Sequence, residues 1–412
     1  MSAGIAGAGI LHRVSRASLR GLLKAKVVVV GGGFAGAKCA LVLRQLRPAI
    51  DVTLVDPDNR YVTCPMSNSV LGGLRDLKSI SVTRRGLERA GVRYVRDRIT
   101  SIDTRLRRAR LGGGGLLAYD RLVVALGIRF LRDRPQGYDT AAAEVMPHAW
   151  QAGAQTEILA AQLRGMRNGG LVAISVPAGP MRCPPAPFER ASLIAGYLKQ
   201  DKPRSKVLIF DANNRFPQQD VFTDAWNSLY PGMIEWIPVV EDGAVERVAP
   251  ARRILYTAHG VHRVDVANVI PPQAPGLLAV QAGLASDHGW CPVKPDTFES
   301  LSIANVHVIG DACIADPMPK AASAANAQAN QCARAIVDAL EGRQTSAPEF
   351  ESVCYSMLAR GLALSIHGRF QVTDGAIQQL PAPALPGFGD SEREAQEAEN
   401  WYRRIVIDSF GA

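Results

Sequence analysis

The sequence predicts an α/β fold with two Rossmann-like domains and a shorter C-terminal part. An apolar run rich in β-branched residues, at residues 26–30, leads into a glycine-rich turn, and similar runs follow at residues 170–176 and 206–211. A further strand pattern at residues 305–312 contains a Gly-Asp pair near its end. Continuous apolar runs of this kind are typical of strands that are buried on both faces of a parallel sheet.

Length and charge limit the classes of protein that need to be considered. The 412 residues suggest about two or three domains, and the 47 Lys and Arg residues exceed the 38 Asp and Glu residues by nine. No aromatic-rich module accompanies the arginine-rich stretches at residues 13–26 and 84–110, so we predict no nucleic-acid binding. We interpret these stretches as solvated surface, with a docking face for an acidic partner as the less favoured alternative. No uncharged apolar run reaches about 18 residues, so we predict no integral membrane segment.

The cysteines are too few for a disulfide framework in a chain of this size, and their odd number leaves at least one outside any cysteine pair. Their positions lack the CxxC or HxxxH spacing of zinc sites, so no metal site is expected. The helical patterns around Cys39 and Cys332 indicate buried small apolar residues. The full set is Cys39, Cys64, Cys183, Cys291, Cys313, Cys332 and Cys354.

The first 23 residues are interpreted as a disordered tail or the remnant of an export signal. Their apolar stretch precedes the basic residues, which reverses the order of a secretory signal. Residues 15–20 resemble a twin-arginine export box in which Ala17 replaces the second arginine. An export signal would place the protein in the periplasm; without one we expect it in the cytoplasm.

The first strand pattern begins a nucleotide-binding unit. Residues 31–36 fit G-x-G-x-x-G, a helical pattern follows at residues 37–47, and a second strand pattern at residues 51–55 ends in Asp56. This order of strand, glycines, helix, strand and acid predicts a dinucleotide site, with the pyrophosphate on the helix N-terminus.

Each part of that pattern has a physical role at such a site. Gly31 permits the tight turn, and Gly33 lets the backbone approach a pyrophosphate. Gly36 allows close packing of helix and strand, and Asp56 can hydrogen-bond a ribose hydroxyl.

Two later segments indicate that the dinucleotide is FAD. Residues 119–127 resemble the strand-ending segment of flavoproteins that bind two dinucleotides, with Ala125 and Gly127 at its end. Residues 305–312 resemble the second FAD motif of those proteins, in which the aspartate matching Asp311, after Gly310, meets the flavin ribityl chain.

The second Rossmann-like unit lacks a phosphate-binding loop. The strand pattern at residues 170–176 is followed by a proline-rich segment where a glycine loop would be expected, whereas the pattern at residues 206–211 keeps the outline of the domain. Proline has no N–H to offer a phosphate and fixes φ, so we predict that this unit does not bind NAD(P)H. The prolines of the segment are Pro177, Pro180, Pro184 and Pro185.

Five segments together carry a resemblance to a known family. The chain resembles the flavoprotein subunit of flavocytochrome c sulfide dehydrogenase, a relative of sulfide:quinone oxidoreductase and of glutathione-reductase-type enzymes. The segments are residues 61–68, 181–191, 317–320, 351–356 and 400–402.

The resemblance implies a glutathione-reductase-type arrangement of domains. We expect a discontinuous FAD-binding domain at residues 24–136 and 278–345, and a degenerate nucleotide-binding-like domain at residues 137–277. Residues 346–412 would form a C-terminal domain that caps the flavin and supplies Cys354.

The resemblance also implies roles for three cysteines. In that family the cysteine matching Cys64 is bonded to the flavin 8α-methyl group, which would make the FAD covalent. The cysteines matching Cys183 and Cys354 form a redox disulfide beside the flavin. Hydrosulfide would attack that disulfide, as in thiol–disulfide exchange, and the electrons would then pass to FAD.

Two charged residues complete the expected site. Glu189 matches an acidic residue proposed to move protons in the family, and an ion pair with Arg190 or Arg182 is the alternative. Lys320 precedes a helical stretch, so its ammonium could stabilise negative charge at the N1/C2-carbonyl edge of reduced flavin. A solvated lysine is the alternative there.

Three functions remain open at this point. A sulfide dehydrogenase that passes electrons to a c-type cytochrome partner is favoured, and the absence of CxxCH would place any haem on another polypeptide. A sulfide:quinone oxidoreductase is the second possibility, and two observations disfavour it. Those enzymes commonly carry a further cysteine, whereas none occurs here between Cys64 and Cys183, and the charged segment at residues 390–400 is poorly suited to lipid. A non-catalytic flavoprotein partner or redox chaperone of a sulfur-oxidation system is the third possibility.

Overall fold

The computed structural model describes residues 25–287, 289–381 and 387–412. The tail or export-signal remnant predicted at residues 1–23 lies outside these ranges.

Strands and helices alternate around the two parallel sheets, but strands follow one another without an α-helix at residues 93–130 and 234–275, and three further strands lie near the C-terminus. The strands up to residue 130 are β1 (Lys26–Val30), β2 (Asp51–Val55), β3 (Arg60–Val62), β4 (Ser81–Thr83), β5 (Arg93–Val95), β6 (Ile99–Asp103), β7 (Arg108–Leu111), β8 (Leu116–Ala118), β9 (Arg121–Val124) and β10 (Ile128–Phe130). The next are β11 (Leu171–Val176), β12 (Lys206–Asp211), β13 (Ile234–Ile237), β14 (Arg247–Ala249), β15 (Ile254–Tyr256), β16 (Val261–Arg263), β17 (Val266–Val269) and β18 (Gln273–Pro275). The last are β19 (Cys291–Pro292), β20 (Val306–Val308), β21 (Cys313–Ile314), β22 (Glu349–Ala359), β23 (Leu362–Thr373) and β24 (Ala376–Leu380).

The α-helices range from single turns to 20 residues. They are α1 (Phe34–Leu46), α2 (Ser67–Leu71), α3 (Arg85–Arg89), α4 (Ala142–Val145), α5 (Ala154–Gly165), α6 (Ala186–Asp201), α7 (Gln219–Leu229), α8 (Leu277–Gln281), α9 (Ala322–Glu341) and α10 (Ser391–Phe410). Single 3₁₀ turns occur at Lys78–Ile80, Val239–Glu241, Pro250–Arg252, Gly310–Ala312 and Phe388–Asp390.

A five-stranded parallel sheet organises the first unit, in the order β20-β9-β1-β2-β5. Val27–Val30 of β1 are buried, as the apolar run predicts for a central parallel strand. Because β20 joins strands from the first third of the chain, the sheet draws on segments that lie on both sides of the second unit in sequence. Helices α1 and α9 pack against each other over this sheet.

A four-stranded parallel sheet organises the second unit, in the order β13-β12-β11-β17. Its strands β11 and β12 coincide with the two apolar runs predicted from the sequence, and helix α6 packs against both β11 and β12. The prediction of an α/β fold with two Rossmann-like units is therefore confirmed. The exact domain boundaries stay a prediction.

The C-terminal part is an antiparallel sheet, β22-β23-β24, followed by α10. Helix α10 packs back onto α1 and β23. The ring of Phe410 lies 5.2 Å from that of Phe34 and 5.4 Å from that of Tyr61, measured between centroids. The end of α10 thereby contacts the first unit beside its glycine turn. Among the helices in the described ranges, none is both long enough and apolar enough to cross a membrane.

The arginine-rich stretch at residues 84–110 corrects one expectation. Nine of its ten arginines are exposed, as predicted, but Arg84 is only 4% exposed. Its guanidinium forms an ion pair with Asp56 and lies 5.8 Å from the ring centroids of both Tyr61 and Tyr94. Arg84 is therefore part of the interior and not of the solvated surface, because a buried carboxylate partner and two aromatic rings surround it.

Candidate functional site

A cavity of about 940 Å³ lies where the first unit, the second unit and the C-terminal sheet meet. The carboxyl ends of β1, β2 and β9 open into it, which is where ligands bind in open α/β sheets. Most of the site residues predicted from the sequence line this cavity. They are Gly31, Gly33, Asp56, Cys64, Ala125, Gly127, Cys183, Glu189, Gly310, Asp311 and Cys354.

The glycine turn after β1 has the shape that a dinucleotide needs. Gly31 has φ +99°, and a Cβ there would lie 2.4 Å from the carbonyl oxygen of Ala125. A Cβ on Gly36 would lie 1.9 Å from the carbonyl oxygen of Gly31. With any larger residue at position 36, helix α1 would have to lie farther from strand β1. At Gly33 the nearest atoms are those of Tyr61, at 3.5 Å or more, so this position is open towards the cavity. The turn therefore has room for a pyrophosphate at the residue predicted to approach it.

Asp56 is held in place by the turn and by Arg84. Its Oδ2 accepts a hydrogen bond from the Gly32 N–H at 2.7 Å, and its Oδ1 accepts one from Arg84 at 2.9 Å. Arg84 also donates to the carbonyl oxygen of Gly32. Arg84 is a site residue that the sequence did not reveal, because its surrounding run of arginines is otherwise exposed and no motif marks it.

Asp311 lies on the 3₁₀ turn after β20 and pairs with a second unexpected arginine. The Arg182 Nε donates to Asp311 Oδ2 at 2.6 Å, and the Arg182 backbone N–H donates to Gln273 at 2.8 Å. Arg182 belongs to the proline-rich loop after β11. The side chains of Arg182 and Cys183 in that loop line the cavity.

Cys64 lies in the cavity wall just before helix α2. Its Sγ is 3.5 Å from Nη1 of Arg182 and 3.9 Å from the carbonyl oxygen of Trp150. The thiol is free. The predicted bond from Cys64 to a flavin stays a prediction.

Cys183 and Cys354 reach the same cavity from different parts of the fold. Cys183 precedes α6 and has φ 48°, with its N–H bonded to the carbonyl oxygen of Lys320 at 2.8 Å. Cys354 lies on β22, with its Sγ 3.6 Å from the hydroxyl of Ser323. Both thiols are free in this structure, and the disulfide between them stays a prediction. Burial raises the pKa of both thiols, and at Cys183 the charge of Cys354 adds to the effect, so both favour the protonated form.

Glu189 is a buried carboxyl on helix α6. Its Oε2 accepts a hydrogen bond from Asn68 at 2.7 Å, and its Oε1 accepts one from the Met357 N–H at 3.0 Å. Burial raises the pKa of Glu189 to about 7. Within the described residues, Glu189 forms an ion pair with neither Arg182 nor Arg190. Arg182 pairs with Asp311, and Arg190 donates to neutral oxygens.

Lys320 has a different environment from the one expected. Its ammonium donates to the carbonyl oxygens of Asp311 and Cys313, both at 2.9 Å, and lies 3.8 Å from the centroid of the Trp290 ring. These groups satisfy the ammonium away from the cavity lining, where Ala321 follows instead. The ammonium of Lys320 therefore stabilises the segment that carries Asp311, and its role towards reduced flavin stays a prediction.

The remaining cysteines lie outside the cavity lining. Cys39 and Cys332 are fully buried on α1 and α9, which confirms their interpretation as small apolar residues. Cys291 and Cys313 are also buried and face each other in register between the short strands β19 and β21.

Three family models match successive parts of the chain. Residues 25–148 match "Pyridine nucleotide-disulphide oxidoreductase". Residues 156–271 match "Sulfide dehydrogenase [flavocytochrome c] flavoprotein chain, central", and residues 346–410 match "Flavocytochrome c sulphide dehydrogenase, flavin-binding". The last model covers the segment that supplies Cys354 and α10.

The chain is also similar to individual proteins of two related kinds. A sulfide dehydrogenase [flavocytochrome c] flavoprotein chain of Chlorobaculum thiosulfatiphilum is 62% identical over 45 residues, which are 11% of this chain and 94% of that one. A mitochondrial sulfide:quinone oxidoreductase of Mus musculus is 21% identical over 380 residues, covering 86% of this chain and 80% of that one. The structure of the sulfide:quinone oxidoreductase of Aquifex aeolicus has a TM-score of 0.71 at 17% identity, over 94% of this chain and 92% of that one, which shows the shared fold. The chain therefore belongs to the family of flavocytochrome c sulfide dehydrogenase flavoprotein chains.

Proposed function

We propose that this protein is an FAD-dependent dehydrogenase that oxidises hydrosulfide through Cys183 and Cys354 and passes the electrons to a c-type cytochrome on another polypeptide. The observation that carries the proposal is the meeting of two thiols and a buried carboxyl, Glu189, in one cavity that also contains the glycine turn. The two thiols come from separate segments, so their side chains converge only in the folded protein.

The oxidised cysteine pair would supply the electrophile that hydrosulfide needs. Hydrosulfide attacks one sulfur, a substrate–cysteine S–S bond forms, the Cys183–Cys354 bond breaks, and the other cysteine leaves as a thiolate. A second hydrosulfide then removes the outer sulfur as the HSS⁻ ion, which leaves both cysteines reduced. Two HS⁻ ions thereby become one HSS⁻ ion with release of one proton and two electrons. Bound FAD supplies the two-electron acceptor that allows the disulfide to form again.

Glu189 would take the released proton. Its pKa of about 7 lies close to ambient pH, where a carboxyl group can both accept and release a proton. The carboxylate is available above that pKa, so the proton-accepting step should become faster as pH rises through about 7.

The residues around the cavity fit FAD in a defined orientation. The glycine turn at Gly31 and Gly33 would hold the pyrophosphate, Asp56 the ribose, and Asp311 the ribityl chain. Cys64 would be bonded to the flavin, and Arg182 donates to its sulfur at 3.5 Å.

The C-terminal helix supports a cytochrome as electron acceptor over membrane quinone. Most apolar residues of α10 face the interior, where Tyr402 and Phe410 are buried, while Ile407 is exposed on an outer face that is otherwise mostly charged. This apolar face is therefore engaged within the chain. A quinone acceptor is the second candidate, favoured by the similarity to sulfide:quinone oxidoreductases over most of the chain. Oxidation in the periplasm would bring the protein together with c-type cytochromes.

Anaerobic mixing of the purified protein with sulfide tests the proposal. We expect bleaching of the flavin absorbance, followed by rapid reoxidation with a c-type cytochrome and slow reoxidation with a short-chain quinone analogue. Faster turnover with the quinone would assign the second candidate. A flavin that stays oxidised in sulfide would leave a non-catalytic flavoprotein partner as the function.

A further inference from the structure

Helix α6 carries two neighbouring buried side chains of opposite charge that do not pair directly. Glu189 is 9% exposed and Arg190 is 2% exposed. The guanidinium of Arg190 donates to four neutral oxygens, those of Asn68, Asn268, His148 and Ala149. A buried arginine and a buried carboxylate normally stabilise each other by direct contact, so their separation calls for a structural cause.

The side-chain amide of Asn68 is the group that bonds to both. Its Oδ1 accepts from Arg190 Nε at 2.9 Å, and its Nδ2 donates to Glu189 Oε2 at 2.7 Å and to the carbonyl oxygen of Ala186 at 3.1 Å. Only this orientation of the amide satisfies all three contacts, because the reverse would set donor against donor at Arg190. Asn68 is 4% exposed, so water does not replace these bonds.

The position of Asn68 is fixed by the segment that carries Cys64. Helix α2 begins one residue before Asn68, and the Ser67 hydroxyl donates to the carbonyl oxygen of Cys64 at 2.7 Å. On the other side, the Ala186 N–H donates to the carbonyl oxygen of Cys183 at 3.0 Å. The Asn68 amide therefore spans the gap between the backbone segments of two site cysteines.

We propose that Asn68 is a positioning residue for Glu189: it holds the carboxyl at the cysteine pair and keeps it out of contact with Arg190, so that the carboxyl can exchange a proton. This inference rests on the proposed function and deepens it. The charged and titratable groups that face Glu189 are Arg190, Cys183 and Cys354. A direct contact with Arg190 would stabilise the carboxylate and lower its pKa, which would leave a weaker base.

The test is the pH dependence of flavin reduction by sulfide in an Asn68→Asp variant, measured by stopped flow across about pH 6 to 9. The new carboxylate keeps the acceptor for Arg190 but removes the donor to Glu189 and adds a negative charge beside it. In the wild type, the rate of flavin reduction should rise with pH as Glu189 loses its proton, which gives the rate–pH profile a rising limb. In Asn68→Asp this limb should move to higher pH by about one unit, so the rate on its acid side should be roughly tenfold lower.

Three further variants separate this effect from others. Hydrogen sulfide itself titrates in the same range, so the Glu189→Gln variant shows the part of the pH dependence that belongs to the substrate. Adding Asn68→Asp to Glu189→Gln should leave that pH dependence unchanged. Asn268→Asp adds the same charge beside Arg190 without touching Glu189, and its limb should stay near that of the wild type. If Asn68→Asp does not fold, Asn68→Ser removes the amide between the two side chains without adding charge, so Arg190 can contact Glu189 and the limb should move to lower pH.

The outcomes distinguish this inference from the proposed function. If wild-type flavin is not reduced by sulfide, the proposed function fails. If Glu189→Gln removes a limb that Asn68→Asp and Asn68→Ser leave in place, the proposed function stands and the role of Asn68 is wrong. An equal loss of rate at every pH, also in the Glu189→Gln background, would give Asn68 a merely structural role and would likewise overturn the inference.

Discussion

Replacing Arg84 by methionine should destabilise the protein far more than its position in a run of exposed arginines suggests. The side chain of Arg84 is 3% exposed and that of its partner Asp56 is 14% exposed, so the change leaves a largely buried carboxylate without its cation. Breaking a buried pair in this way costs about 3 to 5 kcal/mol. Because Asp56 keeps its bond from the Gly32 N–H, we expect the lower end, about 3 kcal/mol.

The measurement is thermal unfolding of the flavin-loaded protein, followed by circular dichroism. For a chain of 412 residues, a loss of about 3 kcal/mol corresponds to a melting temperature lower by roughly 3 to 4 °C. Arg85→Met is the matched control, since the neighbouring arginine is exposed and its loss should change the melting temperature by about 1 °C at most. In an Asp56→Asn background, Arg84→Met should cost only about 1 kcal/mol, because no unpaired charge is then left behind.

The reasoning fails if Arg84→Met and Arg85→Met melt at the same temperature. It also fails if the cost of Arg84→Met is the same with Asp56 and with Asn at that position, because the ion pair would then contribute nothing.

Three further predictions concern the cysteines and the second unit. Cys183→Ser or Cys354→Ser should leave the yellow cofactor bound but slow sulfide-dependent bleaching by orders of magnitude. The control Cys39→Ser, in a helix outside the cavity lining, should leave the bleaching rate within about threefold of the wild type. Bleaching at the wild-type rate in either of the first two variants would remove the disulfide from the mechanism. Cys64→Ser should release the flavin into the supernatant when the protein is denatured with acid, while wild-type flavin precipitates with the chain; free flavin from the wild type would contradict the covalent bond. NADH should not bleach the flavin appreciably, because the loop at residues 177–185 offers no phosphate site; rapid stopped-flow reduction by NADH would show that the second unit still binds a nicotinamide.

The sequence alone predicted those parts of the fold whose signals are local. Strand β1, the turn at Gly31 and helix α1 follow one another within 21 residues, and each is marked by a periodicity or by glycines with a steric role. Such patterns are set by neighbours in sequence, so they can be interpreted before any tertiary contact is known.

The parts that could not be predicted depend on contacts between distant segments. Arg84 is buried only because β2 brings Asp56 to it, and nothing distinguishes it in sequence from the exposed Arg85. The partner of Glu189 is Asn68, 121 positions away, where an adjacent arginine had been the more obvious choice. The cysteine pair was indicated by family resemblance and not by spacing, since Cys183 and Cys354 meet in the cavity only through the fold.

The late arrival of β20 and α10 has a consequence for how the protein is made. Ribosomes synthesise a chain from its N-terminus, so the glycine turn and Cys64 emerge early, while the strand that completes the first sheet comes some 240 residues later. Tyr355 and Trp401, which line the same cavity, emerge later still. A growing chain therefore carries the Cys64 thiol long before the rest of the cavity lining has been made. If Cys64 bonds to the flavin as proposed, that bond should form only after synthesis of nearly the whole polypeptide, so an attached flavin would mark a completed and folded chain.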